Sequence, residues 1–386
     1  MQITFYCPDR HIQYDGATAD RTGVGGGITL RIRIADALAA RGHRVSLICN
    51  CPRPDVHHNV AYLPLGRADR IECDVLLMHS SGGAVDLSGL LSIPVKAQTR
   101  ISILSGSPLA SGTEQLNPDV FYACSNFVRR EILRTSPLIP PEKFFVSYHG
   151  VNRWNWAGLF HPPRDPRKLI YSSHPSKGLD ASLAVLRRLR VKDPRFTFQY
   201  FGGNRLWGGA EEAPLEEPGV FYGGLIGQRR LAAQYQRSGF LMQLQTRPEP
   251  FGITVMEAMA AGCLVVASPV GALAELIRNG ENGFLIEGDP AQPEVLDRAA
   301  ELMWDVSRDR RLSDQVRRSA LATPLDWETV AQVWEAHFAW LLDRNGSRPM
   351  EAAWARCVAC RGTCLVLADG YHCTACGHYA RHCAAG

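Results

Sequence analysis

The 386-residue chain has no apolar run approaching the roughly 18 residues that a membrane span requires. Its first residues show no basic stretch leading into an apolar core, so neither a membrane helix nor a signal peptide is expected. Charge of one sign is also scarce: the formal net charge is +4, too little by itself to mark a nucleic-acid binder. No internal repeat of solenoid period and no low-complexity tract is found. The apolar fraction of 46% argues against disorder. What remains is a folded protein, expected to be cytoplasmic with reduced thiols, and long enough for two ordinary domains plus something small.

Short β-branched and apolar runs alternate with amphipathic ones along most of the chain. Strands are predicted at Ile3 to Cys7, Val45 to Cys49, Val75 to Met78 and Phe144 to Ser147, with helices at Ile28 to Arg41 and Asn126 to Thr135. A second series of strands is predicted at Lys168 to Ser172, Phe196 to Phe201, Gly239 to Leu244 and Leu264 to Ala267. Such alternation gives parallel sheets covered by helices, here two Rossmann-like, doubly wound halves of an α/β protein. In residues 326 to 344, Trp327, Val330, Val333, Trp334, Phe338 and Leu341 fall at helical spacing and are read as core, in a helix expected to pack back across both domains.

The most informative stretch is RPEPFGITVMEAMAAG, residues 247 to 262. Glu249 and Glu257 stand eight positions apart around Phe251 and Gly252, ahead of a small-residue helix. One carboxylate sits in a loop and the second inside the helix that follows. Gly252 lets the backbone approach a ligand closely. A helix opening near Ile253 aims free N–H groups and a positive dipole end at an anion. A sugar joined to a diphosphate would satisfy all of these groups. The competing chemistry is a hydrolase with paired carboxylates across a scissile bond, which leaves the phosphate-binding features unused.

At these residues the chain resembles the retaining glycosyltransferases of family four, which have the GT-B fold. The likeness continues through residues 262 to 289, with Gly271, Glu275 and Gly283, and back to the glycines at 23 and 25 to 27. It implies a nucleotide-sugar donor, UDP- or GDP-linked, and an N-terminal acceptor-side domain over residues 1–150. The donor-binding domain would cover 151–325, joined at a hinge-like His149-Gly150-Val151-Asn152 in which His149 and Asn152 replace the usual asparagine and aspartate. Glu249 is then expected to bond donor-sugar hydroxyls and Glu257 the ribose. Lys177 resembles the phosphate lysine of the family. The arginine that accompanies it there is missing, its place taken by Ser172 or Ser173. Gly25, Gly26 and Gly27, between the first strand and first helix, form the expected loop over the leaving phosphate. His79 matches a histidine that reaches the donor sugar. Retention of configuration is implied through a same-face attack, in which the leaving phosphate takes the acceptor's proton. No active-site metal is expected.

The C-terminus departs from that family. Cys357-x2-Cys360 and Cys373-x2-Cys376 are separated by twelve residues, with Asp369-Gly370 placed for a tight hairpin. This resembles a zinc ribbon over residues 357–386, in which four thiolates make a closed structural site. So small a unit buries little core, and bound metal would stabilise it. Cys364, Cys383, His372, His378 and His382 are near enough to alter the ligand set. Residues 345–356 read as a linker that would leave the ribbon free to move, and the ribbon would serve either to recognise a protein or RNA acceptor or simply to stabilise. Two other readings of the whole chain are a catalytically inactive sugar-nucleotide-binding protein and a nucleotide-sugar epimerase.

Overall fold

The structure is a computed structural model. It describes all residues except 83–84, 153–162, 212, 345–353, 357–362, 368–369, 374–375 and 382–386, with the backbone alone at 344, 354–356, 363–367, 370–371 and 381. The chain divides into two compact units. Unit 1 comprises Met1–Ala17, Gly27–His149 and Trp327–Gly386, and unit 2 comprises Thr18–Gly26 and Gly150–Asp326.

Unit 1 is built on eight strands: β1 (Gln2–Tyr6), β2 (Arg44–Cys49), β3 (Asp55–His57), β4 (Val60–Pro64), β5 (Ile71–His79), β6 (Val95–Leu104), β7 (Val120–Ala123) and β8 (Phe144–Val146). Their order is β3-β4-β2-β1-β5-β6-β7-β8, parallel except for the β3–β4 pair. The helices here are α2 (Gly26–Ala40, all but its first residue in this unit), α3 (Thr113–Leu116), α4 (Asn126–Thr135) and α11 (Trp327–Arg344). β1 lies between β2 and β5, so the connections after β1 and β5 leave in opposite directions. That divergence opens a crevice at the carboxyl ends of these strands, the usual ligand position of a doubly wound sheet.

Unit 2 holds β9 (Asp165–Ser173), β10 (Thr197–Gly202), β11 (Val220–Tyr222), β12 (Ser238–Gln243), β13 (Leu264–Ala267) and β14 (Phe284–Leu285), in the all-parallel order β11-β10-β9-β12-β13-β14. Its helices are α1 (Thr18–Arg21), α5 (Leu179–Lys192), α6 (Gln228–Arg237), α7 (Ile253–Ala260), α8 (Leu273–Leu276), α9 (Pro293–Arg308) and α10 (Arg310–Ala322). Every residue of β12 is buried, as expected of a central parallel strand covered on both faces. The crevice in this unit falls between β9 and β12, which both leave toward the same end of the sheet.

The α/β class and its parallel sheets are as the alternation predicts, and several elements differ in extent. β6 carries Lys96, Gln98 and Arg100, and its apolar pattern is too broken to read as a strand. Structurally, Lys96 and Gln98 stand on a solvent-facing stretch, where Lys96 Nζ donates to Glu72 at 2.7 Å and Gln98 Nε2 to Asp74 at 2.7 Å. The segment Thr18–Gly26 clusters with unit 2 although it follows β1. There Gly227 admits the Asp20 carbonyl so closely that a Cβ would lie 1.8 Å from it.

In α11 the predicted stripe is buried in unit 1. Trp334 Nε1 donates to Ser147 Oγ at 2.7 Å, and the Trp334 ring meets Tyr122 edge-on. The C-terminal strands β15 (Trp354–Arg356), β16 (Thr363–Leu367), β17 (Gly370–Cys373) and β18 (Tyr379–Arg381) form an antiparallel sheet in that order. The stretch read as a linker therefore supplies a strand at its end, because Trp354–Arg356 pairs with Thr363–Leu365. His372 Nε2 and the Val146 carbonyl lie 2.8 Å apart, and Asn126 Nδ2 donates to the Cys376 carbonyl at 2.8 Å, which seats this sheet on unit 1. Cys7, Cys49, Cys51, Cys73, Cys124 and Cys263 are buried, and burial pushes the Cys7 and Cys73 thiols up to about 11. Such thiols act as small apolar groups. No helix among the described residues is long and apolar enough to cross a membrane.

Candidate active site

Two loops leaving the carboxyl ends of β9 and β12 carry the charged residues of unit 2. After β9, a short 3-10 turn at Pro175–Lys177 ends on Gly178, whose φ of 96° lies in the left-handed region. A Cβ at Gly178 would sit 1.8 Å from the Leu244 carbonyl oxygen, so the β9 exit presses directly on the β12 exit. This contact brings Lys177 to Glu249, Nζ donating to Oε2 at 2.7 Å. The carboxylate also accepts from Gln245 Nε2 at 3.4 Å.

The backbone of Glu249 is fixed from the other side. The Ala272 N–H donates to its carbonyl at 2.8 Å, and Gly271 lies where a Cβ would come within 2.3 Å of that same oxygen. Gly252, with φ of 102°, is the N-cap of α7, and no side chain caps it. The Val255 N–H donates to the Gly252 carbonyl at 3.0 Å, which leaves the Ile253 and Thr254 amides and the helix dipole for an anion. Phe251 is buried and anchors the loop. Glu257, one and a half turns into α7, is also buried and accepts from Gln228 Nε2 at 2.5 Å.

The remaining predicted donor residues divide. The Ser172 hydroxyl is 2.5 Å from the Tyr235 hydroxyl, inside the unit, so it is engaged away from the loop face. Ser173 closes β9. Gly25 and Gly26 belong to unit 2, where a Cβ on Gly25 would be 3.4 Å from the Leu206 carbonyl and one on Gly26 would be 3.6 Å from Ile253. Gly27 belongs to unit 1, with the Ser81 hydroxyl 1.9 Å from where its Cβ would stand.

His79 ends β5 with its side chain fully buried. Arg31 Nε donates to His79 Nδ1 at 2.9 Å, and His79 Nε2 lies 2.8 Å from Ser105 Oγ. Burial, then the nearby Arg31 charge and His149, hold its pKa well below the usual imidazole value. The ring is therefore neutral, and it is buried between Arg31 and Ser105.

Sequence reasoning missed Gln245 and Gln228, whose amides orient the two glutamates. It also missed Trp207, which stacks on His174 at 3.8 Å with Arg247 5.0 Å and Lys177 5.8 Å from its ring centre. The one available signal was its place in GGNRLWGG, a glycine-flanked loop at the end of β10. Of the predicted zinc ligands, Cys357 and Cys360 lie outside the described residues, and among the described residues no three metal-binding side chains come together. Cys373 and Cys376 form a tight knuckle. The Cys376 N–H donates to Cys373 Sγ at 3.3 Å, and the Gly377 N–H donates to the Cys373 carbonyl at 2.9 Å.

The fold is that of GT-B glycosyltransferases. Sucrose-phosphate synthase from Thermosynechococcus elongatus superposes with a TM-score of 0.63 at 17% identity, covering 89% of this chain and 100% of that one. Anabaena HepE, in complex with UDP and glucose, gives 0.59 at 17% identity, covering 88% and 99%. In sequence, residues 161–319 match the family model described as Glycosyl transferases group 1. The Lys177–Glu249 pair and Glu257 lie within this matched segment. A glycogen synthase from Mycobacterium tuberculosis is 28% identical over 193 residues, 48% of this chain and 46% of the relative. The chain thus matches about half the length of that curated relative.

Proposed function

We propose that the protein is a retaining glycosyltransferase of family four, moving a sugar from a UDP- or GDP-linked donor to an acceptor. The observation that carries this reading is the meeting of Lys177 and Glu249 at the strand ends of unit 2, beside the uncapped start of α7. Loss of a nucleoside diphosphate develops negative charge on the leaving phosphate and positive charge on the sugar ring. An ammonium and a helix N-terminus oppose the first, and an adjacent carboxylate bonds the sugar and opposes the second. Glu257, held by Gln228, is assigned to the ribose. With the accompanying arginine absent and Ser172 turned to Tyr235, Lys177 and the α7 amides carry more of the diphosphate charge. HepE binds UDP and glucose, which makes UDP-glucose the first donor to try.

In the test, purified protein is incubated with UDP- and GDP-hexoses and UDP-N-acetylglucosamine while release of nucleoside diphosphate is followed. The expected result is turnover of at least one donor, lost in a folded Glu249→Ala variant. Binding without turnover would instead support an inactive sugar-nucleotide sensor. Conversion of the donor sugar without transfer would support an epimerase.

The C-terminal sheet is proposed as a zinc ribbon with Cys357, Cys360, Cys373 and Cys376 as ligands. The Cys373–Cys376 knuckle fits, since an amide N–H directed at sulfur stabilises a thiolate. Bound zinc would join the β15–β16 connection to the β17–β18 connection. Its seating on Val146 and Asn126 favours a stabilising role over a tethered arm that recruits protein or RNA. Elemental analysis should find one zinc per chain, lost in Cys373→Ser. Chelation should lower Tm, by roughly 4–8 °C for a loss of about 2 kcal/mol in a unit of this size. A metal-free preparation with unchanged Tm would remove the zinc from this account.

A further inference from the structure

β6 sets one cation against an apolar hollow of unit 1. Arg100 stands beside Leu76 in the register of the β5–β6 pair, and Leu76, like Met78 two residues on, is fully buried. The 3-10 segment Ser88–Ser92 and α3 bring Leu90 and Leu116 to the same place, both buried. These side chains do not fill the space between them. A half-open cavity of about 140 Å³ remains, with Leu76, Met78, Leu90 and Leu116 as its buried walls and Arg100 and Gln115 on its more exposed rim.

The cation on this rim is short of partners. Arg100 Nη1 donates to the Leu116 carbonyl at 3.4 Å, a long bond, and the other guanidinium N–H groups meet no acceptor among the described residues. The neighbouring carboxylate is used on backbone and hydroxyl instead: Asp119 Oδ2 accepts from the Arg100 main-chain N–H at 2.8 Å and from Thr99 Oγ1 at 3.2 Å. Gln115 is exposed, and its side-chain amide likewise has no partner among the described residues.

Walls and rim together ask for one kind of ligand. Water between aliphatic walls has too few hydrogen-bond partners, so the hollow favours an apolar occupant, and its volume is close to the roughly 150 Å³ that takes one benzene. An arginine fork binds a carboxylate through two parallel N–H···O bonds. We propose that this cavity binds a free monocarboxylic acid with an aliphatic chain of about six carbons, its tail among Met78, Leu90 and Leu116 and its carboxylate on Arg100 and Gln115. The site lies wholly within unit 1 and does not depend on the transferase reading.

The probe is hexanoate, added to the full-length protein at neutral pH and followed by calorimetry and by the carbon-13 methyl signals of labelled methionine. Hexanoate should bind at least about tenfold more tightly than 1-hexanol, which lacks the charge, and than acetate, which lacks the tail. Arg100→Gln should remove the advantage over 1-hexanol while leaving 1-hexanol binding unchanged, and Arg100→Lys should keep part of it. Tm recorded for each variant shows that it is folded. Of the seven methionines, Met78 should be the one whose signal moves, identified by its loss in Met78→Leu. The assignment is overturned if hexanoate shows no saturable binding up to about 20 mM, the weakest value expected of a ligand with eight non-hydrogen atoms. It is equally overturned if 1-hexanol binds as tightly, if Arg100→Gln holds hexanoate as well as the parent does, or if hexanoate binds and the Met78 signal stays still. The transferase reading is untouched by each of these results.

Discussion

Lys177→Ala should reduce donor turnover by about 10²–10³-fold, the usual cost of removing a group that stabilises charge in the transition state. The side chain is largely buried and lies 2.7 Å from Glu249, in the loop between the end of β9 and α5. Two effects add in this variant. The leaving diphosphate loses its ammonium, and Glu249, left with only Gln245 at 3.4 Å among these side chains, becomes a poorly compensated carboxylate beside an approaching anion. Lys177→Arg should recover little, because a planar fork cannot take the place of a compact ammonium in this loop. A steady-state series with Lys177→Ala, Glu249→Gln and the double variant checks the coupling. The two single losses should be far from additive, since both residues act on one departing group. Additive losses, or a Lys177→Ala enzyme within about threefold of the parent, would separate Lys177 from the chemistry.

Gly178→Ala should be the most damaging small substitution in unit 2. The added methyl meets the Leu244 carbonyl, a backbone atom at the exit of β12 that cannot rotate away, and the residue already sits at φ of 96°. Left-handed strain of about 1–2 kcal/mol combines with an overpacking cost of about 1–3 kcal/mol. A urea midpoint displaced by at least about 0.7 M would follow for an m-value of about 1–3 kcal/mol/M. The same shift should spread the two loops and loosen the Lys177–Glu249 pair, so donor affinity and stability should fall together. Gly280 is the control: its φ is also positive, yet no atom lies within 4 Å of where its Cβ would be. Its alanine variant should retain donor affinity while bearing backbone strain alone.

Legibility varied with how local the cause was. Leu264–Ala267 and Asn126–Thr135 form over the residues predicted, because a short apolar run between glycine-rich turns, and a serine cap ahead of an amphipathic stretch, are local signals. β3 and β4 were missed because their partners lie elsewhere in the chain, and the antiparallel β3 at the sheet margin has an exposed, mostly polar sequence. In the donor loops, the motif named Glu249, Gly252 and Glu257 and the likeness named Lys177. Neither indicated that Gln245 and Gln228 would orient the carboxylates, since a glutamine's role depends on what its amide meets in space. His79 shows the limit most clearly. Its type and place at a strand end suggested contact with a ligand, and nothing local indicated that Arg31, 48 positions earlier, and Ser105 would hold both of its ring nitrogens.

Hydrophobic periodicity, glycine positions and paired carboxylates are written residue by residue, and from them alone came the α/β class, the two-sheet plan and the motif at 247 to 262. Pairing across the sheets is not written that way. Which loop meets which at a strand end depends on strand order, and strand order depends on long-range packing that no short window contains. The Lys177–Glu249 bond, the Arg31–His79 bond and the seating of the C-terminal sheet on Val146 were therefore decided only when the folded chain brought those groups within hydrogen-bonding distance.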